Sequence, residues 1–348
     1  MPMTFDWEKT NALAKALGGR VELLQELIKL RKADLSYSQI QDIVKSGFAS
    51  EFFDIGDEIM TKYTATDGTE YDFPWRVVDF RDVTWEDGSV HPGMVLQSKY
   101  AAVESVIFDA AEGTSVDPSE TEALEGWYYF GISGYISTSL NLNPGDPIPF
   151  ENYNSIYKNM FDSDTPLNDG LNLYAHSALR QWLNGDSEKG TWWTEQHAGD
   201  NPTADVNVKN GFAYGLTAEF KSIINPVLRE EYVYSKDQTY NVFDRFFIAG
   251  VGEMYGAEAK RSQFAPVPTV KPFEYWKNNS ANTRRSNGND ANRHFIRLGT
   301  DTMPSVWIGR KFLNKLAGTL PILIRTGAMN NTIAPNGDLE VVPCCVIS

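Results

Sequence analysis

Apolar residues recur at helical spacing in one stretch near the middle of the chain, between segments that resemble β-strands. Leu179, Trp182 and Leu183 fall on one face of a short helix. Ser177 is placed to cap the start of this helix, and Gly185 to end it with a left-handed residue. A tryptophan and two leucines on so short a helix need a partner surface. We therefore expect these three side chains to be structural and to pack on a sheet.

The first 48 residues carry a helical pattern. Apolar residues follow a helical period in three short segments, with charged residues on the other faces. The third segment begins after Ser36, and its inward residues are Ile40, Ile43 and Val44. Helices this short must bury their apolar faces on the body of the protein, on one another, or on copies of the same chain. The sequence predicts a helical attachment or assembly segment over residues 1–48 and a domain over residues 49–348.

From residue 52 onwards, short strand-like segments alternate with turn signals. Asp67-Gly68 and Asp87-Gly88 separate consecutive segments and predict an antiparallel meander. Its strands are predicted at 55–59, 69–73, 75–80 and 94–98. Residues 100–108 fit a helix or a strand. Later strands are predicted at 227–234, 241–248, 306–308, 320–325, 332–334 and 339–347, with Asn336-Gly337-Asp338 joining the last two as a hairpin.

Four further stretches differ in composition from the strands around them. Residues 111–125 are acidic and predict an exposed loop, residues 127–130 an aromatic strand, and residues 153–161 a short helix. Residues 266–290 combine Pro, Asn, Ser, Arg and Lys with isolated aromatic residues. A long irregular stretch of this kind inside a domain is usually functional or mobile.

Charge and cysteine content restrict the classes of partner and compartment. A formal net charge of −15 over 348 residues disfavours nucleic acid and anionic membrane surfaces as partners. Cys344 and Cys345 are adjacent, so a disulfide between them would be strained. We expect two buried thiols and folding in a reducing cytoplasm. No signal-peptide pattern opens the sequence, and no apolar stretch approaches the length of a membrane span.

Six motifs follow one another along residues 52–348. They are Trp75-Arg-Val-Val-Asp79, Met94-Val-Leu-Gln-Ser98, Ser177-Ala-Leu-Arg-Gln-Trp-Leu-Asn184, Asp244-Arg-Phe-Phe-Ile248 followed by Glu253, Val306-Trp-Ile-Gly-Arg310, and Val341-Val-Pro-Cys-Cys-Val-Ile347. In this order the chain resembles a domain-of-unknown-function family that is common in gut bacteria and their tailed phages. The third motif is the most specific. The closing Gly-Val-Arg-Pro of that family appears here as Glu340-Val-Val-Pro343, without the arginine.

The resemblance implies an α+β fold similar to the C-type-lectin-like domains of the sulfatase-modifying kind. Such a fold has a mixed, twisted β core with flanking helices and long loops that present a binding face. The fold also carries the variable surfaces of phage receptor-binding proteins. We expect Trp75 and Trp307, each in a motif strand, to be structural. The sulfatase-modifying enzymes hold copper with two cysteines, but adjacent strand positions would direct the sulfurs of Cys344 and Cys345 apart, so we expect no cofactor.

Residues 271–297 form the candidate contact surface. They contain planar aromatic rings, guanidinium groups and amides, which are the side chains that bind sugars or protein partners. The candidate ligand-binding residues are Tyr275, Trp276, Arg284, Arg285, Asn287 and Asn289. The alternative is a structural loop whose aromatic rings pack inward.

Catalytic and metal-binding patterns are weak. The four histidines lack metal-ligand spacing, and the chain contains no nucleophile elbow, phosphate-binding loop or dinucleotide fingerprint. Two acidic clusters occur, one at Asp54, Asp57 and Glu58 and the other at Asp162 and Asp164. Both fit a solvent-exposed acidic surface, and calcium binding is the alternative. We expect no metal. Glycosidase carboxylates are paired in space rather than in sequence, so a hydrolase stays an alternative.

These observations favour a non-enzymatic structural protein of a phage virion. It would decorate the head, form a fibre or act as a tail adhesin, after folding in the host cytoplasm. Its partners would be other virion proteins, copies of itself, or a glycan or protein on the host surface, with no nucleic acid and no membrane. The alternatives are a carboxylate-dependent hydrolase acting on glycans and a bacterial surface adhesin.

Overall fold

The computed structural model describes residues 35–110, 174–196, 200–233, 238–255, 271–279, 295–307, 320–323, 329–333 and 338–348. In this part of the chain the protein is a mixed α+β structure whose helices are short and whose strands pair mostly antiparallel. The α+β class predicted from the sequence is confirmed at this level. The predicted loop at 111–125, strand at 127–130 and helix at 153–161 lie outside the described residues.

The described helices are α1 (Tyr37–Lys45), α2 (Ala49–Phe52), α3 (Ala178–Asn184), α4 (Ala218–Ser222), α5 (Val251–Tyr255) and α6 (Glu274–Asn279). The described strands are β1 (Glu58–Thr64), β2 (Glu70–Thr84), β3 (Val90–Ser98), β4 (Ser105–Ile107), β5 (Val227–Val233), β6 (Gln238–Asp244), β7 (Phe246–Ile248), β8 (Val306–Trp307), β9 (Leu320–Leu323), β10 (Met329–Ile333), β11 (Asp338–Glu340) and β12 (Pro343–Ile347). Turns of 3₁₀ helix occur at Tyr174–His176, Ala204–Asn207 and Ala213–Gly215.

One sheet has the order β1-β2-β3-β12-β7, with every neighbouring pair antiparallel. Its first three strands form the predicted meander, with turns at Asp67-Gly68 and Asp87-Gly88. β2 runs through Pro74, where the sequence predicts two separate strands. Proline has no main-chain N–H and can only accept hydrogen bonds within a sheet. The carbonyl of Pro74 does so, from Lys99 N at 3.0 Å.

A second sheet has the order β10-β9-β8-β11-β4, in which β11 runs parallel to β8. The predicted hairpin through Asn336-Gly337-Asp338 is wrong, because β11 pairs with β4 and β8 while β12 joins the first sheet. The ambiguous residues 100–108 contain strand β4. β5 and β6 form a separate two-stranded ribbon. The pairings of β11 and β12 join distant parts of the chain, and a local turn signal carries no information about them.

One face of the first sheet carries an aromatic core. Trp75 on β2 stacks on Phe220 of α4, with ring centroids 5.4 Å apart. Phe212 lies beside both Trp182 of α3 and Phe246 of β7, at centroid distances of 5.5 Å. All five rings are buried. Because burying one such side chain contributes roughly 1.5–3 kcal/mol, these contacts are what attach α3 and α4 to the sheet.

Helix α1 forms where the sequence predicts it. Ser36 caps it and completes a capping box. Its buried residues are Ile40, Ile43 and Val44, which belong to the same hydrophobic core as the sheet. Gln41 Nε2 also donates to the main-chain oxygen of Ser348 at 3.1 Å. Residues 35–48 therefore pack on the body of the protein, whereas residues 1–34 lie outside the described residues.

Candidate functional site

Helix α3 lies at the centre of the candidate site. Ser177 caps it, as predicted, by accepting a hydrogen bond from Arg180 N at 3.2 Å. Asp109 provides a second acceptor at this end, 3.2 Å from Ala178 N. The apolar residues of the helix have no exposed surface: Leu179, Trp182 and Leu183. The cap fixes where the helix begins, and the buried face fixes its orientation on the sheet.

Gly185 follows α3 for a different reason from the one that the sequence suggests. Its φ of −67° and ψ of 112° are accessible to any residue, so the prediction of a left-handed stop is wrong. A Cβ at this position would lie 2.8 Å from Trp192 Cβ and 3.2 Å from Gly211 Cα. The position requires glycine because another segment of backbone passes directly against it.

The last residue of α3 completes the edge of the first sheet. Asn184 Nδ2 donates to Phe246 O at 2.9 Å. Asn184 Oδ1 accepts from Arg245 N at 2.9 Å and from Phe246 N at 3.0 Å. The amide side chain thus makes both kinds of bond that a neighbouring strand would make to β7. It satisfies main-chain groups that would otherwise be left at a sheet edge.

Arg180 connects α3 to the ribbon. Its Nε donates to Asp244 Oδ1 at 2.8 Å, and its Nη1 donates to Ala175 O at 3.1 Å. Asp244 is only 1% exposed. Burial raises the pKa of this carboxyl to about 6, although Arg180, Arg229 and Tyr174 each favour its ionised form. Removal from water therefore outweighs the attraction of the neighbouring guanidinium groups.

A second buried ion pair connects the ribbon to α5. Arg229 on β5 binds Glu253 through two parallel hydrogen bonds, at 3.0 Å from Nη1 and 2.8 Å from Nη2. Glu253 has no exposed surface, and its Oε2 also accepts from Gly250 N at 2.8 Å. The Arg229 guanidinium lies over the ring of Phe247, 3.8 Å from its centroid. Bidentate geometry and the aromatic face hold both partners in one orientation.

A third pair on β2 completes what we term the interior ion-pair cluster. Arg81 forms an ion pair with Asp79 and lies 3.9 Å from Glu253 Oε1. Burial raises the pKa of Asp79, and Arg81 partly offsets this effect. The cluster consists of Asp79, Arg81, Arg180, Arg229, Asp244 and Glu253. Its three positive and three negative groups join β2, α3, the ribbon and α5.

The cluster explains several motif residues that the sequence did not mark as a site. Asp79, Arg180, Asp244 and Glu253 occur in three of the six motifs, and in the structure they bind one another or a shared arginine. Arg229 lies outside every motif, so no sequence signal identified it. The sequence shows that these motifs carry charged residues. It does not show that residues more than 60 positions apart, such as Arg180 and Asp244, form a pair. The paired charges are suited to holding β2, α3, the ribbon and α5 together.

The candidate contact surface is only partly described. Trp276 is 1% exposed and its Nε1 donates to Gln97 Oε1 at 3.0 Å, so its indole is not available to a ligand. Tyr275 is half-buried, with Arg76 over its ring at 4.6 Å from the centroid. The remaining candidates lie outside the described residues: Arg284, Arg285, Asn287 and Asn289. For Trp276 the placement matches the alternative in which the aromatic ring packs inward.

Residues 274–279 are also helical, whereas the sequence predicts an irregular stretch. Phe273 and Trp276 are buried against the face of the first sheet opposite the aromatic core, where Gln97 and Arg81 also contact them. Long-range burial of two aromatic rings therefore stabilises a helix of six residues that has little helical signal of its own.

The other predicted candidates have structural partners. Asp57 Oδ2 accepts from Asp54 N at 2.7 Å, and Glu58 pairs with Lys99 at 2.8 Å. His91 stacks on Trp85 at a centroid distance of 3.7 Å. Within the described ranges, no three His, Cys, Asp or Glu residues are grouped to hold a metal ion. Asp162 and Asp164 lie outside these ranges.

Cys344 and Cys345 are free thiols on β12 with no exposed surface, as predicted. Burial raises the pKa of both thiols, so neither is activated as a thiolate. The structural tryptophans of the prediction are also buried: Trp75 has no exposed surface, and Trp307 donates its Nε1 to Val106 O at 2.8 Å.

Comparisons with known proteins add no relative. No family model matches the chain, and no curated protein or solved structure matches it. Among the helices that the structure describes, none is long and apolar enough to cross a bilayer.

Proposed function

We propose that the chain is a non-enzymatic structural protein of a phage virion. In this proposal a C-type-lectin-like body presents a binding surface to the host or to neighbouring virion subunits. The order of the six motifs along the chain motivates the proposal. The α+β architecture of the described residues, with short helices against two sheets, is compatible with such a body.

The interior ion-pair cluster is the observation that carries the proposal. A protein that presents loops to a partner needs a body that holds its shape, and this chain has no disulfide between its two cysteines. The charged motif residues supply interior connections between separate elements instead. Asp244 and Glu253, the most buried carboxylates of the cluster, are 1% and 0% exposed and pair with Arg180 and Arg229. This use of the motifs favours a binding scaffold over an active site.

Tyr275 is our candidate contact residue within the described chain. The guanidinium of Arg76 lies over one face of its half-buried ring, so aromatic surface and hydrogen-bond donors occur at the same place. We expect Tyr275→Ala to weaken binding of the purified protein to host cells, with a loss of about 1–3 kcal/mol in the free energy of unfolding because the ring packs on the core. Tyr214→Ala is the matched control, because Tyr214 is an exposed tyrosine on a 3₁₀ turn. Equal binding by both variants would remove Tyr275 from the binding face.

Analysis of purified phage particles tests whether the protein is a component of the virion. Particles purified by density gradient from a lysate of the producing culture are analysed by quantitative mass spectrometry. We expect the chain to co-purify with the capsid and tail proteins in a fixed ratio, and labelled antibody to show it at the head or the tail. Recovery only from the cytoplasm of uninfected cells, with none in particles, would contradict the proposal.

A carboxylate-dependent hydrolase is the second candidate, and one observation favours it. The pKa of about 6 at Asp244 lies in the range of a general acid. This candidate predicts release of reducing ends from cell-wall or capsular glycan by the wild-type protein, and its loss in Asp244→Asn with the fold retained. A wild-type preparation that binds the glycan without cleaving it supports the scaffold instead.

A further inference from the structure

Asn184 is followed by glycine because the fold leaves no room for another residue at position 185. A Cβ there would lie 2.8 Å from Trp192 Cβ and 3.1 Å from the main-chain oxygen of Gln181. An asparagine before glycine is especially prone to lose its side-chain amide, because no side chain shields the next main-chain nitrogen. The structure therefore requires a chemically labile dipeptide at the end of α3.

The reaction at such a dipeptide is loss of ammonia followed by addition of water. A base removes the proton of Gly185 N, this nitrogen forms a bond to Cγ of Asn184, and the bond from Cγ to Nδ2 breaks to release ammonia. Water then opens the five-membered imide at either carbonyl. The product is aspartate, or isoaspartate with an additional carbon atom in the main chain. The co-reactants are hydroxide and water.

The native fold holds both reacting groups in other contacts. Asn184 Nδ2 donates to Arg180 O at 3.0 Å and to Phe246 O at 2.9 Å. Its Oδ1 accepts from two main-chain N–H groups where β7 begins. Gly185 N, the attacking atom, donates to Trp182 O at 3.2 Å. Four hydrogen bonds therefore fix the side chain, and a fifth engages the nitrogen that would react with it.

The deamidated side chain cannot replace the amide in this place. A carboxylate has acceptors only, and Nδ2 lies within 3.0 Å of two carbonyl oxygens. Deamidation therefore removes two hydrogen bonds and places a negative charge beside those carbonyls. Isoaspartate also lengthens the main chain next to Gly185, where the main chain of Gly211 passes directly against it. Both products conflict with the native end of α3.

We propose that Asn184 is a deamidation site that the native fold protects and that unfolding exposes, so that an unfolded chain loses the ability to refold as the amide is lost. The modification is spontaneous and requires no enzyme. Recovery of native protein then depends on how long the chain stays unfolded, which is a kinetic limit rather than an equilibrium one. The site is independent of the proposed function, and either can fail alone.

Incubation of the full-length protein in mildly alkaline buffer, with and without urea, tests the protection. Peptide mass spectrometry measures the amide that remains at position 184. We expect Asn184 to deamidate at least about a hundredfold more slowly without urea, because the unfolded fraction under native conditions is on the order of one in a thousand or less. Equal rates in the two conditions would overturn the proposal.

Refolding tests the consequence. Protein held in urea for increasing times is diluted, and the native soluble fraction is separated from the chains that fail to refold. We expect the native fraction to retain the amide at Asn184 and the failed fraction to be enriched in its deamidated products. If the products are equally abundant in both fractions, deamidation of Asn184 does not prevent refolding and the proposal is wrong.

Asn210-Gly211 is the matched control in the same chain. Gly211 lies against Gly185, but the Asn210 side chain is held through its oxygen, which accepts from Lys189 N at 3.0 Å. A carboxylate oxygen makes the same bond. We expect the aspartate product of Asn210 to be equally abundant in both fractions. Asn210→Asp should fold and Asn184→Asp should yield little native protein, and equal yields of the two variants would contradict the role of Asn184.

Discussion

Two tryptophans, Trp182 and Trp192, show how single side chains position a whole segment. Each ring is buried, and each indole N–H donates to a main-chain carbonyl of the same segment, Asn210 O at 2.8 Å and Lys209 O at 2.7 Å. Trp75 differs, because its Nε1 is buried without an acceptor and the residue acts through packing alone. In Trp182 and Trp192, aromatic burial is combined with one fixed polar contact per ring.

The two contributions of Trp182 can be separated by substitution. Trp182→Phe keeps an aromatic ring and loses the bond to Asn210 O, so we expect a loss of about 1–2 kcal/mol in the free energy of unfolding. Trp182→Ala also leaves a cavity against Phe212, and a loss of about 3–5 kcal/mol is expected. Urea denaturation followed by circular dichroism measures both. Equal losses in the two variants would mean that the ring itself contributes nothing.

The contact between two glycines is a second residue-scale test. A Cβ at Gly211 would lie 2.2 Å from Gly185 O, which is main chain and cannot move aside as a side chain would. We expect Gly211→Ala to lower the free energy of unfolding by roughly 2–3 kcal/mol. In Gly190→Ala the Cβ meets nothing within 4 Å, and the cost comes from its φ of +86°, at about 1–2 kcal/mol. Thermal unfolding of both variants shows whether Gly211 is the more sensitive position.

Secondary-structure elements are joined by polar bonds as well as by the apolar core. Asn184 links α3 to β7, the Arg180–Asp244 pair links α3 to β6, and the Arg229–Glu253 pair links β5 to α5. Because these pairs lie in the interior, each partner depends on the other. A buried pair often contributes little net stability, but removing one partner leaves the other charge without compensation.

A double-mutant cycle on Arg229 and Glu253 measures this dependence. We expect Arg229→Met to cost about 3–5 kcal/mol, because Glu253 would stay buried after losing its bidentate partner, with Arg81 3.9 Å from its Oε1. Adding Glu253→Gln removes that charge and keeps an acceptor for Gly250 N, so the double variant should recover most of the loss. Lys62→Met is the surface control, since Lys62 and Asp72 are 59% and 66% exposed, and it should change little. Additive losses at Arg229 and Glu253 would show that they are not coupled.

At the scale of the whole molecule, the two ends of the described chain meet. α1 packs its apolar face into the core, and Gln41 and Asn225 both donate to the main-chain oxygen of Ser348, at 3.1 and 2.6 Å. Trp85 Nε1 also donates to Ser348 Oγ at 2.9 Å. Residues 35–48 and the last strand are therefore parts of one body.

Truncation tests this arrangement and the predicted assembly role together. We expect a chain lacking residues 1–48 to be several kcal/mol less stable than one lacking residues 1–34, because Ile40, Ile43 and Val44 each contribute roughly 1.5–3 kcal/mol by burial. Denaturant unfolding gives the difference, and equal stabilities would contradict the packing of α1. The mass in solution of both chains and of the full-length protein then tests assembly. If the chain lacking residues 1–34 has the same number of subunits as the full-length protein, these residues have no role in assembly.

The sequence by itself determined the features that depend on neighbouring residues. The capping box and buried face of α1, the cap and buried face of α3, and the turns of the meander all follow from side chains within a few positions of one another. Their physical causes are local hydrogen bonds and periodic burial, and both can be read along the chain.

Only the tertiary structure decided which distant residues meet. It placed β11 between β4 and β8, paired Arg180 with Asp244 and Arg229 with Glu253, and buried Trp276 on the sheet as part of a helix. It also gave Gly185 a packing role in place of a conformational one. Strand order, ion pairing and close backbone contact each depend on the free energy of contacts between segments far apart in the chain. These contacts form only when the whole core assembles, so no single segment of the sequence determines them.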